Sequence, residues 1–382
     1  MHAHYRSLTW RHLTGTCAAA AVLLVPLPGP QASAASPAPQ TSHHAGPAAP
    51  AAPRVSAQSW IVTDADDGRV LAAKDAHRRM PPASTLKTLF ALTVLPKLSA
   101  SAVHRAAASD VAGVAAGSSL AGVHDGTRYS VADLWRGVFL ASGNDAVHTL
   151  ARMNGGPART VEDMQRTARR LGARDTEVRS PDGFDAPGQY SSAYDLALIA
   201  RAGMKNPDFR HYMGTKSARF PATGGPDSFG IQNTNRLLVG SHGVTPYPGL
   251  IGVKNGYTSN AGHTLVAAAQ HGTRTILVTL MNPRSGSANT VYDEARSLLD
   301  WGFAAAPHAR QTALLNGAPP KPLSAPASGQ SRAPGVPPQA GTPGDEDRFD
   351  HPAGLALVAL AVLAFPLALL RGRRRRSRQS EA

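Results

Sequence analysis

The sequence predicts an α+β fold, in which one antiparallel sheet is assembled from both ends of a globular segment and a helical lobe lies between them. Two apolar runs, 59–63 and 69–73, flank an Asp-Gly turn and predict an opening β-hairpin. Three later apolar runs, at 249–254, 264–269 and 275–281, predict further strands, of which the first two pair with each other. The sheet therefore draws its strands from either end of the segment.

Helical patterning fills the chain between these two groups of strands. Segment 85–98 follows Pro82 and places Leu86, Leu89 and Phe90 at helical spacing. The other predicted helices are 131–153, 161–171, 193–204 and, after the last strand, 288–301. The predicted order of strands, several helices, more strands and a final helix is what an α+β domain requires.

One domain of about 250 residues, 55–305, accounts for the part of the chain with mixed polarity, a size that suits a single hydrophobic core. Both ends of the 382-residue chain differ from it. Residues 1–34 have a basic start, a short apolar run and an Ala-Ser-Ala site, so we expect a secretory signal peptide cleaved after Ala34. Residues 35–54 are rich in Ala and Pro and predict a disordered linker.

The C-terminal end predicts a membrane anchor. Residues 306–352 are interrupted by many prolines and predict a flexible stalk. Segment 353–370 is apolar and uncharged, long enough for a helix of about 27 Å that crosses the membrane once. Residues 371–382 contain an arginine cluster, which predicts a cytoplasmic tail and a domain outside the cytoplasm at the cell membrane.

The net charge of +14 is concentrated at the two ends, which argues against nucleic-acid binding. The last twelve residues carry +5 and the first 34 carry +2, leaving +7 for the rest of the chain. Cys17 is the single cysteine and lies in the predicted signal peptide. A mature protein without it has no disulfide, no cysteine nucleophile and no cysteine-based zinc site.

Three short motifs carry candidate chemistry. Ser84 and Lys87 form an S-x-x-K pair at a predicted helix start, where both side chains share a face and the lysine can take the serine proton. Ser142-Gly143-Asn144 follows an apolar helix and offers a hydroxyl and an amide. Lys254-Asn255-Gly256 ends a predicted strand and offers a cation beside a residue without a side chain. Each motif alone is weak.

Together and in this order, the three motifs resemble the set of penicillin-binding proteins and class A β-lactamases. The likeness is greatest to the D-alanyl-D-alanine carboxypeptidases of low molecular mass and covers about residues 55–303. Further segments that carry it are 79–83, 190–197, 233–238 and 247–249. The resemblance implies a β-lactamase/transpeptidase-like fold, in which an antiparallel sheet is flanked by helices and accompanied by an all-helical lobe.

The resemblance also implies roles for residues of the three motifs. Ser84 is the expected nucleophile, Lys87 the base and Ser142 a proton relay, while the N–H groups of Ser84 and Tyr257 form the oxyanion hole. The expected substrate-binding residues are Asn144, Lys254, Asn255, Gly256, Tyr257 and Thr258. The expected partners are a peptidoglycan stem peptide ending in D-Ala-D-Ala, β-lactam antibiotics and membrane lipid, and no metal or cofactor is expected.

A departure from the family pattern in the third motif bears on this assignment, and three other functions compete with it. Asn255 stands where the family usually has Thr or Ser, and its amide still donates and accepts hydrogen bonds. A class A-like β-lactamase would need a deacylating glutamate, but Glu162 and Glu177 lack the expected Glu-x-x-x-Asn setting. A D,D-endopeptidase or transpeptidase is a second competing function, and a non-catalytic protein that binds or senses the wall is a third.

Overall fold

A computed structural model of the chain describes residues 50–309 and 313–316. The strands are β1 Ser59–Asp64, β2 Val70–Lys74, β3 Val103–Arg105, β4 Arg128–Ser130, β5 Ser217–Pro221, β6 Ser228–Gln232, β7 Leu250–Thr258, β8 Gly262–His271 and β9 Arg274–Met281. The helices are α1 Lys87–Val94, α2 Ala108–Val111, α3 Val131–Phe139, α4 Asn144–Met153, α5 Pro157–Leu171, α6 Ala193–Gly203, α7 Pro207–Gly214, α8 Arg236–Val239 and α9 Thr290–Ala305.

The main sheet has five strands in the order β2-β1-β9-β8-β7, and every pair is antiparallel. The opening hairpin pairs with the last strand through β1 and β9, where Trp60 lies opposite Leu280. The predicted α+β fold, with a sheet that joins both ends of the domain, is therefore confirmed. This strand order places β7 at one edge of the sheet.

The two faces of the sheet pack against different parts of the chain, as the two-residue period of a strand requires. On one face, Val62, Ile276 and Val278 are buried in a cluster with residues of α9 such as Leu298 and Leu299. On the other face, alternate residues of the same strands are buried against the helical lobe. That second cluster includes Ile61, Val266, Leu277, Leu89 and Ile199.

The helical lobe is organised around α1. Leu89 and Phe90 of this helix are fully buried. Phe90 continues into a chain of aromatic contacts, with ring centroids 5.4 Å from Trp135, then 6.5 Å from Trp135 to Phe139 and 5.4 Å from Phe139 to Phe209. This apolar packing fixes α1 between the sheet and α3, and so fixes the residues at its N-terminal end.

Two predicted helices differ from the observed elements. Segment 131–153 is broken into α3 and α4, because Ser142 adopts a φ of 56° and Gly143 packs so closely on Ala121 that a Cβ would lie 2.6 Å from the Ala121 Cβ. Segment 85–98 begins as a 3₁₀ turn at Ala83–Leu86 and ends as another, Leu95–Lys97, which contains a proline. The small sheets β3–β4 and β5–β6 and the helices α2, α7 and α8 were not predicted.

The folded region extends beyond the predicted domain end at 305. Val70 N–H donates to the Ala313 carbonyl at 3.0 Å, and Leu315 N–H donates to the Gly68 carbonyl at 2.7 Å. The Leu315 side chain is 1% exposed, and the Tyr194 hydroxyl donates to the Leu314 carbonyl. Residues 313–316 therefore pack against the hairpin of β1 and β2 as part of the folded domain.

Several predicted segments lie outside the described residues. They are the signal peptide 1–34, most of the linker 35–54, most of the stalk 306–352, the apolar segment 353–370 and the tail 371–382. Within 50–309 and 313–316, none of the helices has both the length and the hydrophobicity that a membrane span requires.

Substituting Leu315→Ala should lower the free energy of unfolding by about 2 kcal/mol, because a fully buried leucine loses its packing against the domain. Its neighbour Leu314 is 37% exposed, so Leu314→Ala serves as a matched control and should change stability by less than about 0.5 kcal/mol. Urea unfolding followed by tryptophan fluorescence measures both. Equal effects of the two substitutions would contradict the packing described for residues 313–316.

Candidate active site

Ser84 lies in the 3₁₀ turn that leads into α1. The turn is held to the sheet by the Thr264 hydroxyl, which donates to the Pro82 carbonyl at 3.0 Å, and internally by the Thr85 hydroxyl, which donates to the same carbonyl. Ala83 adopts a φ of 50°, an unusual conformation for a residue with a side chain. Ser84 itself is half-buried at the N-terminal end of the helix.

Lys87 is the first residue of α1, and its side chain is 1% exposed. Its Nζ donates to Ser84 Oγ at 2.8 Å, to Asn144 Oδ1 at 2.7 Å and to the Asp182 carbonyl at 2.8 Å. Burial lowers the pKa of Lys87 to about 8, although the charges of Asp182 and Asp145 oppose this shift. An amine with such a pKa, in contact with a serine hydroxyl, suits a general base near neutral pH.

The second motif forms the loop between α3 and α4. Ser142 is 6% exposed, and the loop is held by Gly143 N–H, which donates to the Gly137 carbonyl at 3.0 Å. Asn144 begins α4, and its Nδ2 donates to Ser118 Oγ at 2.9 Å. Protein groups therefore engage both ends of the Asn144 amide, since its Oδ1 accepts from Lys87.

Asp145, next in the chain, fixes the segment that covers this loop. Its buried carboxylate accepts backbone N–H bonds of 2.8 Å from Ala121, Gly122 and Val123. These three bonds tie segment 121–123 to the start of α4. This residue was missed at the sequence level, although an acidic residue in the first turn of α4 was visible there.

The third motif lies on β7, directly beside Ser84. A Cβ added to Gly256 would lie 2.7 Å from the Ser84 backbone nitrogen and 3.0 Å from the Ala83 Cβ, so only glycine permits this approach. Lys254 is 1% exposed, and its Nζ donates to the Asn255 carbonyl at 2.8 Å. Burial, and then the charge of Lys87, lower the pKa of Lys254 well below its usual value. The structure thus brings the three motifs together.

The remaining residues predicted on β7 have different surroundings. Asn255 Oδ1 accepts a hydrogen bond from the Thr234 hydroxyl at 3.0 Å, and the Asn255 amide also bonds to the Tyr292 side chain. The Tyr257 side chain is 62% exposed. The Thr258 hydroxyl donates to Asp185 Oδ1 at 2.7 Å, so its single proton is engaged by that carboxylate.

The loop that carries Asp182 supplies site residues that the motifs did not indicate. Gly183 has a φ of 83°, and a Cβ there would lie 2.0 Å from the Ala83 carbonyl oxygen, which presses the loop against the Ser84 turn. The Pro-Asp-Gly sequence at 181–183 is a turn signal, but it does not reveal which part of the protein the turn contacts. Among the described residues no cluster of His, Cys, Asp and Glu could hold a metal ion.

Comparison with known proteins agrees with this geometry. The family model for D-alanyl-D-alanine carboxypeptidase, Peptidase S11, matches residues 46–285. The chain belongs to this family. It is 41% identical over 256 residues to the D-alanyl-D-alanine carboxypeptidase DacB2 of Mycobacterium tuberculosis, covering 66% of this chain and 84% of the relative. It is 35% identical to the carboxypeptidase DacD of Escherichia coli, covering 67% of this chain and 65% of that relative.

Superposition on solved structures supports the same family assignment. A crystal structure of D-alanyl-D-alanine carboxypeptidase from M. tuberculosis superposes with a TM-score of 0.63 at 39% identity, covering 68% of this chain and 96% of that one. The Streptomyces K15 DD-transpeptidase superposes with a TM-score of 0.61 at 29% identity, covering 66% and 99%. The family inferred from the three motifs is confirmed, and with it the class of serine D-alanyl-D-alanine carboxypeptidases.

Substituting Gly256→Ala should slow acylation of this carboxypeptidase by at least about 100-fold, because the new methyl group pushes β7 away from the Ser84 amide, a predicted oxyanion donor. The rate of labelling by a fluorescent penicillin measures this effect. Gly230→Ala on β6 is the matched control, since an added Cβ has no neighbour within 4 Å there, and its labelling rate should equal the wild-type rate. A Gly256→Ala variant that reacts normally would contradict the described approach of β7.

Proposed function

We propose that the protein removes the terminal D-alanine from peptidoglycan stem pentapeptides through an acyl-enzyme on Ser84. The observation that carries this proposal is the contact between Lys87 Nζ and Ser84 Oγ, at 2.8 Å, in a buried setting that lowers the lysine pKa to about 8. A serine hydroxyl is a weak nucleophile, and an adjacent base with a lowered pKa activates it.

In the acylation step, Ser84 Oγ bonds to the carbonyl carbon between the two D-alanine residues while its proton passes to Lys87 Nζ. The backbone N–H groups of Ser84 and Tyr257 stabilise the oxyanion, each by roughly 3–4 kcal/mol. The C–N bond then breaks, and the departing D-alanine nitrogen takes a proton that Ser142 relays. The close packing of Gly256 on the Ser84 nitrogen supports this pairing of donors.

In the deacylation step, water attacks the Ser84 ester, the C–O bond breaks, and the shortened peptide leaves as a carboxylic acid. A β-lactam acylates Ser84 in the same way, with the ring amide in place of the peptide bond. Its ester hydrolyses slowly because the opened ring stays attached and does not depart as D-alanine does.

The terminal carboxylate of the substrate binds at β7 in this proposal. Lys254 supplies positive charge to it, and the Asn255 amide, which bonds to Thr234 through its oxygen and to Tyr292, offers its second N–H group. Because β7 is an edge strand, its outer backbone groups can pair with a peptide that adds as a further strand. Asn144 contributes by holding Lys87, and in this proposal the second N–H of its amide donates to the substrate. Thr258, engaged by Asp185, supports the turn after β7.

The full chain, incubated with a pentapeptide ending in D-Ala-D-Ala, should release D-alanine, and penicillin should form a long-lived adduct on Ser84. Ser84→Ala should abolish both results, since the nucleophile is absent, and mass spectrometry with a D-alanine assay measures them. Ser101→Ala, at an exposed serine whose hydroxyl bonds to Ser99, is the matched control and should leave both unchanged.

Different outcomes would identify the competing activities. Rapid turnover of penicillin without D-alanine release would indicate a β-lactamase, and binding without cleavage would indicate a wall-binding protein. Transfer of the acyl group to an added amino-acid acceptor, in preference to water, would indicate a transpeptidase, the activity named for the Streptomyces K15 protein.

We further propose that the protein is exported and anchored in the cell membrane, with its catalytic domain outside and its C-terminus in the cytoplasm. The support is the sequence alone: the signal-like residues 1–34, the uncharged apolar segment 353–370 and the arginine cluster that follows it. The Pro-rich residues before this segment would let the tethered domain reach wall peptides near the membrane.

Cells that express the full chain should retain it in the membrane fraction after alkaline carbonate extraction, because one apolar helix resists this treatment. A chain that ends at residue 352 should instead be released into the medium or the soluble fraction. A penicillin that does not cross the membrane should label both forms. The anchoring proposal fails if the two chains fractionate alike, and the export proposal fails if intact cells are not labelled.

A further inference from the structure

A second pair of side chains, His148 and Asp182, lies buried behind Lys87. His148 Nε2 and Asp182 Oδ2 are 3.1 Å apart, and the two residues are 7% and 2% exposed. A carboxylate only accepts hydrogen bonds, so Nε2 is the protonated ring nitrogen in this contact. A buried ionisable pair is costly compared with apolar packing, so its presence in the lobe calls for a function.

The proton balance of Lys87 shows what this pair can do. As an ammonium, Lys87 has three protons for its three acceptors. As a base it must be a neutral amine, with two N–H groups and one lone pair. Asn144 Oδ1 and the Asp182 carbonyl cannot donate, so they take the two N–H groups. The lone pair is then directed at Ser84 Oγ, as proton abstraction requires.

Two residues on one face of α4 determine where both of these acceptors lie. Asn144 and His148 are four residues apart on this helix and therefore share a face. Asn144 binds Lys87 directly, whereas His148 holds Asp182, whose carbonyl binds Lys87. The other carboxylate oxygen of Asp182 accepts from the Ser180 hydroxyl at 2.8 Å and from Phe184 N–H at 2.9 Å, so the residue is fixed from several sides.

The pair also sets the charge near Lys87. Burial would raise the pKa of the Asp182 carboxyl, but the His148 hydrogen bond and the Lys87 charge hold it below its usual value, so it remains anionic. This anion, together with Asp145, raises the pKa of Lys87, which burial lowers. Lys254 is a basic group close to Lys87, and burial, followed by the charge of Lys87, lowers its pKa.

We propose that His148 and Asp182 are positioning residues for the reaction: together they direct the Lys87 lone pair at Ser84 and set the pH at which that lone pair is free. This inference rests on the roles of Ser84 and Lys87 proposed above. Neither His148 nor Asp182 needs to touch the substrate, so their effect should appear in the rate of acylation and its pH dependence and not in substrate affinity.

The pH profile of acylation tests whether the negative charge of Asp182 raises the pKa of Lys87. If Lys87 must be neutral, the wild-type rate constant for acylation by penicillin rises with pH and levels off above a midpoint near 8. Asp182→Asn keeps the backbone carbonyl but removes a negative charge that raises the Lys87 pKa, so the midpoint should move to lower pH by about one unit. Stopped-flow measurements on the full chain in detergent give the profile.

The kinetics of D-alanine release test whether His148, by holding Asp182, positions Lys87. His148→Leu removes the donor to Asp182 and should lower kcat by about 10- to 100-fold, part of what a general base contributes, with KM within about twofold of wild type. His148→Gln places an amide N–H where Nε2 was and should restore most of the rate. Titration with penicillin, combined with thermal unfolding, corrects the rates for any loss of folded enzyme.

His104 and Asp110 provide a matched control on the same lobe. His104 Nε2 lies 2.7 Å from Asp110 Oδ2, and neither residue contacts Lys87. His104→Leu should therefore leave kcat and the pH midpoint unchanged, even if it lowers stability.

The outcomes separate this inference from the proposed function. A wild-type chain that penicillin does not acylate at Ser84 overturns the proposed function itself. A wild-type chain that is acylated normally, with Asp182→Asn and His148→Leu variants that share its midpoint and kcat, overturns the positioning role alone. The same holds if the two variants lose only thermal stability, since that would make the pair structural.

Discussion

The buried ammonium of Lys87 is the constraint on which the arrangement of the site depends. A charged amine removed from water costs several kcal/mol unless acceptors replace its hydration. Its three acceptors come from distant parts of the chain: Ser84 in the turn before α1, Asn144 at the start of α4, and the carbonyl of Asp182 in the loop before α6. Satisfying one nitrogen atom therefore requires these three elements to meet at one point.

Two glycines allow the elements around the site to pack closely on the Ser84 turn. Gly256 brings the edge strand β7 against the Ser84 backbone, and Gly183 brings the Asp182 loop against Ala83. A side chain at Gly183 would push the Asp182 loop away, and the Asp182 carbonyl accepts from Lys87 at 2.8 Å. A side chain at Gly256 would push β7 away from the Ser84 backbone nitrogen. The sheet thus supplies Lys254, the proposed anion-binding residue, and the lobe supplies Lys87, the proposed base.

The sequence predicted the features that depend on local patterns. The opening hairpin, the strands β7 to β9 and the helix α9 have clear periodicity, and the S-x-x-K spacing itself places Ser84 beside Lys87. The break between α3 and α4 escaped prediction because it depends on Gly143 meeting Ala121, a contact between separate segments. His148 was missed for a related reason: its importance comes from Asp182, far along the chain, and nothing in the residues around it indicates that contact.

The two buried lysines differ in their electrostatic environment, which suits them to the two roles proposed for them. Lys87 receives negative charge from Asp182 and Asp145, which oppose the effect of burial and keep its pKa near 8. At Lys254, both influences on the pKa, burial and the charge of Lys87, oppose the protonated form. Protein carboxylates therefore already compensate the positive charge of Lys87, so its amine can exchange a proton with Ser84. Lys254 gains most from an added anion, and the carboxylate end of a peptide would supply the charge that Lys87 already has.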